Sequence, residues 1–541
     1  MLLRHAFPWS RLASRHLQIV WFPLLLVGLF AGSSEGASLH EQIDQEISRH
    51  AGGTLAPVCD DAEFLRRVHL DLAGMPPDAG ELRQFLASSD PAKRAREIDR
   101  LLGADPFPRR MREWLSAMLL ERRADTKVAD PKWNEYLERS FAENKPWNRL
   151  VAELIFSEPA ADKQPHPAER FFLVDGRADL HQRTQDVFRL FLGRDVMCAQ
   201  CHDHPTVNDF KQSDYFGLYS FLQETADKSK SEFESVFNPG KQTTGPRLPG
   251  GMEIAIPVST QGPSAANPDR PRILLATALT SPDNRLFTQN SVNRFWYFLM
   301  GRGLVHPLEM IHADNPPSHP QLLETLSQTF VASGYDVKQL LREIMLSEAY
   351  QRSSLQPADG SLDDPALQVR YRSALPKPLT PEQMAWSVMR VTGNLDRILQ
   401  APRPESSSFT YQNYINGRIT QLPNHLTDVM TLFIGVFGNP PGEPETTFNP
   451  AVGHSLFLMN EPLILDWLKP QPGNLVDRLT RQEEDAQLID DLYASILTRL
   501  PTDEERQVAT EHLKQFADRR PAAISELAWA LLASAEFRLN H

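Results

Sequence analysis

The strongest constraint on folding is punctuation. A short polar cap, an apolar face of helical period and a terminating glycine follow one another along most of the chain. AEFLRRVHLDLAG, residues 62–74, gathers Phe64, Leu65, Val68, Leu70 and Leu72 and stops at Gly74. That spacing predicts a helix, and the glycine its end. MPPDAGELRQFLAS follows, with Asp78 as N-cap and Leu82, Phe85 and Leu86 as the apolar face. The same pattern predicts helices over 92–103, 109–122, 131–142, 147–156, 179–193 (ended by Gly193) and 213–225 (capped by Ser213). In the second half, Asp283 and Asn284 open a helix that Gly301 closes. Ser318 with Gln321 and Asp336 with Gln339 have the spacing of capping boxes. Thr380-Pro381-Glu382-Gln383, with proline in its favoured first-turn place, opens the helix ending at Gly393, and Thr502 with Glu505 opens another.

The fold class expected is therefore mainly α: two helical domains joined by a long Pro/Gly-rich connection with minor β structure. The connection is 226–272, where NPGKQTTGPRLPGG breaks every helical period and MEIAIPV, 252–258, alternates like a short strand. The domains expected are 38–225, which carries the cysteine motif described below, and 273–541. Residues 1–37 read as a signal peptide. Arg4, Arg11 and Arg15 precede an apolar stretch of 14 residues at 19–32, and a small-residue cleavage site ends at Ala37. The stretch is shorter than the ~20 residues a membrane span needs. No later segment is long and apolar enough to cross a bilayer. The expectation is an exported protein, periplasmic or at the cell surface, with no transmembrane domain beyond the signal segment. A net charge of −13 argues against nucleic acid as a partner, since that binding needs a basic face.

Export changes the meaning of cysteine. The chain has three, and two of them stand in VMCAQCHDHP, residues 196–205. Cys198, Cys201 and His202 form C-x-x-C-H. Positions i, i+3 and i+4 share one face of a helical turn, so two sulfurs and an imidazole can address the same ring. In an exported chain this is the attachment signature of haem c, with His202 on the iron. A non-haem site for Zn or Fe is the alternative, built from Cys198, Cys201, His202 and His204. A redox dithiol is a third reading, because a C-x-x-C beside a histidine exchanges readily. Met252, Met300, His312 and His319 are candidates for a sixth iron ligand. Tyr215, Phe216, Tyr219 and Phe221 either wall a haem or pack as ordinary core. Cys59 is expected to be buried and inert.

CAQCHDHP followed by DYFGL, together with DDAEFLRRVHLDLAGMPPDAGELRQFL at 60–86, resembles the planctomycete cytochrome C domain type two family. SPDNRLFTQNSVNRFWYFLMGRGLVHP, NPPSHPQLLETLSQTF and WALLASAEFRLNH resemble its companion, the planctomycete-specific domain type one. The resemblance implies large exported proteins. The family name presumes haem at C-x-x-C-H, and gene neighbourhood associates such proteins with exported sulfatase-like or polysaccharide-degrading partners.

A second cluster combines Asn293, Arg294, Trp296, Arg302, Ser318 and His319. Arginines beside aromatics can hold a carboxylate, a sulfate or a sugar. The competing reading is that these residues tie loops to helix ends. The leading expectation is a c-type-cytochrome-like protein serving electron transfer with an unidentified redox partner. The alternatives are the non-haem metalloprotein, and a carbohydrate-binding or scaffold protein with a structural cysteine pair.

Overall fold

Most of the caps read from the sequence sit where the helices begin. Asp78 and Glu81, Thr380 and Gln383, and Thr502 and Glu505 make reciprocal side-chain-to-backbone capping boxes. Asp336 accepts from the Gln339 amide, and Asn284 from that of Phe287. The glycine stops hold as well: Gly193 and Gly301 take φ of 65° and 76°, a left-handed turn that glycine adopts without penalty. The computed structural model describes residues 37–123, 131–158, 166–173, 179–223, 230–255, 270–357, 365–402, 409–444 and 452–541. The expected signal segment, up to residue 36, lies outside them.

The first run of helices is α1 (Leu39–His50), α2 (Asp61–Leu72), α3 (Ala79–Ala87), α4 (Lys93–Leu102), α5 (Pro106–Leu120), α6 (Pro131–Ala142), α7 (Trp147–Ile155), α8 (Arg170–Leu173), α9 (Leu180–Leu192) and α10 (Gln212–Leu222). An antiparallel hairpin follows, β1 (Ser231–Phe233) paired with β2 (Gln242–Thr244) in the register Ser231 to Thr244. Next come α11 (Arg270–Leu279), α12 (Arg285–Met300), α13 (Pro320–Ala332), α14 (Val337–Leu346), α15 (Glu348–Gln351) and α16 (Pro365–Val369). Strand β3 (Lys377–Pro378) leads into α17 (Pro381–Val391), α18 (Leu395–Gln400), α19 (Tyr411–Ile415) and α20 (Leu426–Phe437). The last elements are α21 (Val452–Asn460), α22 (Pro462–Trp467), α23 (Leu475–Thr480), α24 (Asp485–Leu497), α25 (Asp503–Gln515), α26 (Arg520–Ala533) and β4 (Leu539–Asn540), which returns to pair with β3. The protein is mainly α, with two small sheets.

Three local expectations are corrected. The β structure of the connection lies at β1 and β2, while residues 252–255 form no strand and 256–258 fall outside the described residues. Ser213 does not cap α10, which starts one residue earlier, after Lys211. Ser318 does not cap α13 either. Pro320 takes the first helical position, which suits its fixed φ and missing N–H, so the N-cap falls on His319.

Buried apolar side chains form two clusters. The first runs from Ile43 on α1 to Tyr350 on α15 and adds Tyr371 and Ala494. It therefore draws on helices from both sides of the 226–272 connection. The second holds Leu70 and residues from Leu379 to Phe537. Each fully buried Leu or Phe contributes about 1.5–3 kcal/mol, so cores of this size need no disulfide, and all three cysteines are unpaired.

Helix α2 joins the two. Arg66 and Arg67 are neighbours in sequence, 1% and 3% exposed. Successive helical side chains diverge by about 100°. Arg66 donates to the Ile496 and Phe537 carbonyls at 3.4 and 3.0 Å. Arg67 donates to the Tyr350 and Arg352 carbonyls and pairs with Glu63.

Candidate functional site

The C-x-x-C-H stretch leaves α9 through Gly193. Asp195 then fastens the chain: its amide donates to the Glu309 carbonyl at 2.8 Å, and its carboxylate accepts from the Met197 amide at 3.1 Å. A 3-10 turn, Met197–Gln200, follows, and Ala199 anchors it in the core. The Cys201 and His202 amides both donate to the Cys198 carbonyl, at 3.2 and 3.3 Å. All three residues therefore belong to one turn. Both thiols are exposed. The His202 ring is held by its Nδ1, 2.6 Å from the Asp203 carbonyl, and by the Phe237 ring, with centroids 4.7 Å apart. Among the described residues its Nε2 has no hydrogen-bond partner.

The turn is braced from below. Gln212, 3% exposed, donates its side-chain amide to the Gln200 and Glu234 carbonyls. Its backbone N–H donates to Asp203 Oδ1 at 2.8 Å. The Val236 amide donates to the Cys201 carbonyl. Around the motif, Met197, Val236 and Phe237 are 61%, 65% and 71% exposed. Burying even one such side chain is favourable, so an apolar fringe beside two thiols and an imidazole is a surface suited to being covered.

His204 is turned to another task. Its Nδ1 accepts from the Thr206 and Val207 amides at 3.3 and 3.0 Å, capping the next turn. Among the described residues, no three His, Cys, Asp or Glu side chains converge to hold a metal ion. Of the aromatic run, Tyr215 and Phe221 are fully buried, and Tyr215 donates or accepts with His181 Nδ1 at 2.9 Å. Cys59 is buried, and burial pushes its thiol pKa up. Of the sixth-ligand candidates, Met300 is core, Met252 is 91% exposed and His312 packs edge-on to Phe210.

The second sequence cluster disperses. Asn293 clamps the Val305 N–H and C=O at 2.9 and 2.8 Å, which is loop locking. Trp296 is fully buried against Tyr371. The Arg302 carbonyl accepts from the Tyr371 hydroxyl, and Ser318 Oγ bonds His319 Nδ1. His319 is 1% exposed beside His50, and burial together with that neighbour lowers its pKa to about 4. Arg294 alone reaches a cavity.

That cavity, about 420 Å³, opens where the two cores meet and is lined from α5, α9, α12, β3, α17 and α20. None of the motif residues touches it. Its walls are charged in pairs. At the end of α5, Glu121 and Arg122 are both left-handed, with φ of 50° and 54°, a conformation that costs non-glycine residues about 1–3 kcal/mol and concentrates at functional places. The turn aims Glu121 at Arg189, 2.5 Å away, and Arg122 at Glu382, with two hydrogen bonds of 2.5 and 3.1 Å. Burial opposes ionisation of Glu382, yet Arg122 holds its pKa below the usual carboxylate value. Arg294 donates to the Arg189 carbonyl at 2.8 Å and lies 3.5 Å from Glu309. Lys377 pairs with Asp71 at 2.6 Å and caps the end of α12 through the Phe298 and Leu299 carbonyls.

Arg110 differs from these. It is 4% exposed and lines the same cavity, yet its guanidinium makes no hydrogen bond or ion pair with any described residue. Its Nε is buried without a partner. Sequence reasoning missed it, although a signal exists: Arg110 falls in helical register with Phe107, Met111 and Trp114, a cation on an apolar stripe.

Two helical segments in tandem, the first carrying C-x-x-C-H on a surface turn, define the class. Residues 40–227 match the family PSCyt2, described as a protein of unknown function (DUF1549). Residues 271–513 match PSD1, likewise a protein of unknown function (DUF1553). The chain belongs to these two families, joined in one polypeptide. No curated protein and no solved structure matches it.

Proposed function

We propose that this is an exported haem-c protein that moves single electrons within an exported catabolic system. The observation that carries the reading is the motif turn: two unpaired exposed thiols and an imidazole with Nδ1 engaged and Nε2 unengaged, within five residues. The donor set fits the group. Cys198 and Cys201 would form the thioethers, and His202 Nε2 would face the iron. A backbone carbonyl on Nδ1 fixes the tautomer that leaves Nε2 as acceptor. Haem c would supply one-electron redox chemistry. The chain's own residues orient the imidazole through Asp203 and Phe237, and hold the turn rigid through Gln212 and Asp195. Met197, Val236 and Phe237 offer the apolar contact that excludes water from one edge. The Zn or Fe reading draws less support, since His204 Nδ1 is spent on backbone amides. Export itself is inferred from residues 1–37, and the redox partner belongs to the same compartment. Among the described residues no helix is long and apolar enough to cross a membrane.

The test is full-length protein matured with haem-attachment machinery and examined by the pyridine haemochrome spectrum. A thioether-type spectrum, lost in Cys198→Ser/Cys201→Ser, is expected. Absence of the band together with two alkylatable thiols overturns the proposal. Metal without a Soret band, by elemental analysis, transfers the reading to the non-haem alternative. Glycan binding unchanged in the double variant, again without a band, transfers it to the carbohydrate-binding or scaffold alternative.

A further inference from the structure

The cavity at the seam has a chemistry that the motif does not use. Five cations line it, and four of them lie within 4 Å of a carboxylate: Arg122, Arg189, Arg294 and Lys377. The fifth, Arg110, has none. Glu113, the carboxylate three residues along the same helix, is engaged through Oε1 by Trp386 Nε1 at 2.8 Å and by Arg109 and Arg112 at 3.6 and 3.4 Å, while its Oε2 is buried without a hydrogen-bond partner and makes no bond to Arg110. Asp71 is taken by Lys377, the Tyr350 hydroxyl and the Asn540 amide. Glu382 is taken by Arg122. Every carboxylate that acts on Arg110 at longer range thus has closer partners.

A buried charge without a partner costs several kcal/mol. Burial pulls the pKa of Arg110 down, yet a guanidinium keeps its proton in proteins. The Phe298 ring, 5.1 Å from the guanidinium carbon, repays about 0.5–2 kcal/mol of that cost as a cation–π contact. The remainder points to an anion from outside the chain. The other walls are apolar, formed by Trp114, Leu190, Phe298 and Leu379. A bare inorganic anion would leave them against water. A volume of about 420 Å³ is within the range of small-molecule sites.

We infer that this cavity binds a small organic oxyanion, a carboxylate or sulfate ester on an apolar body, whose charged end pairs with Arg110. The fork of a guanidinium accommodates either oxyanion through two parallel hydrogen bonds. The body lies along Trp114 and Phe298. The flanking ion pairs hold the walls apart and reject a second anionic group, because Glu121, Glu309 and Glu382 face the same space. The site is independent of the haem proposal and needs no cysteine.

The competing account is that cavity water solvates Arg110 and nothing else binds. Calorimetric titration of the full chain with benzoate, phenyl sulfate, neutral benzamide and inorganic sulfate separates the two. Benzoate or phenyl sulfate is expected to bind at least about tenfold more tightly than benzamide and than inorganic sulfate, the size of one charge-assisted bidentate contact. Arg110→Met should abolish that preference. Ala117→Phe, which fills the cavity from α5 and leaves Arg110 in place, should abolish binding in a chain whose charges are intact, so a folding defect in the first variant does not decide the matter. Cys198→Ser/Cys201→Ser should bind as the parent does. Equal affinity for benzoate and benzamide, binding that survives both cavity variants, or no binding of either organic anion at about 10 mM, overturns the inference.

Discussion

The motif turn and the seam cavity place polar groups in opposite ways. The turn takes its three key residues from five consecutive positions and leaves them at the surface. The cavity takes its charges from positions as distant as Asp71, Arg110, Arg189, Arg294 and Glu382, and buries them. A local site can be lost without disturbing the fold. An assembled one is part of the fold, because its ion pairs are also the contacts between helices. The difference teaches where mutation should hurt.

The largest loss is expected at Asp71, whose side chain is 2% exposed. Asp71→Ala strands Lys377, Tyr350 and Asn540 together, and breaking a buried pair in this way costs about 3–5 kcal/mol. Urea unfolding would measure it; a loss below 1 kcal/mol would show that the cavity wall is not a structural joint.

Next is the pH response of His319. Its folded pKa of about 4 lies below the ordinary 6.5. Between those values the unfolded chain binds a proton that the folded chain refuses. The stability contributed is complete above pH 6.5 and falls as the pH drops toward 4, by about 3 kcal/mol in total. In His319→Gln that slope should flatten, as read from unfolding free energies across the window. His50 faces the same ring, so His50→Gln should change the slope much less than His319→Gln does.

A smaller effect belongs to a local device. Thr502→Ala removes the capping-box acceptor of α25 and should cost about 1 kcal/mol. The smallest is the motif itself. Cys198→Ser/Cys201→Ser alters two exposed side chains and should leave the stability of the haem-free chain within about 0.5 kcal/mol of the parent. If the cysteine variant were less stable than the Asp71 variant, the contrast between the two sites would be reversed.

Legibility in the sequence follows the same division. Helix ends were readable because a cap acts within four residues, as at Asp78, Thr380 and Thr502. The motif was readable because its spacing is one turn. Ser318 misled, since Pro320 competes for the same helix start and the serine pattern does not weigh that preference. Asn293, Trp296, Ser318 and His319 are close in sequence to Arg294, but they point elsewhere in a packed helix pair. The cavity was illegible for a physical reason: the partner of Arg122 is 260 residues away, and no periodicity encodes that distance. Left-handed backbone at Glu121 and Arg122 carries no glycine to announce it.

The neighbouring arginines of α2 have a practical consequence. Arg66 is satisfied only by carbonyls near residues 496 and 537, and Arg67 largely by those of Tyr350 and Arg352. A gene severed between the two family segments would deprive both guanidiniums of these carbonyls at once, leaving Arg67 only Glu63 and Arg66 only water. The halves are better regarded as one casting than as modules: swapping either between relatives will succeed only when the recipient brings its own receptors for that pair.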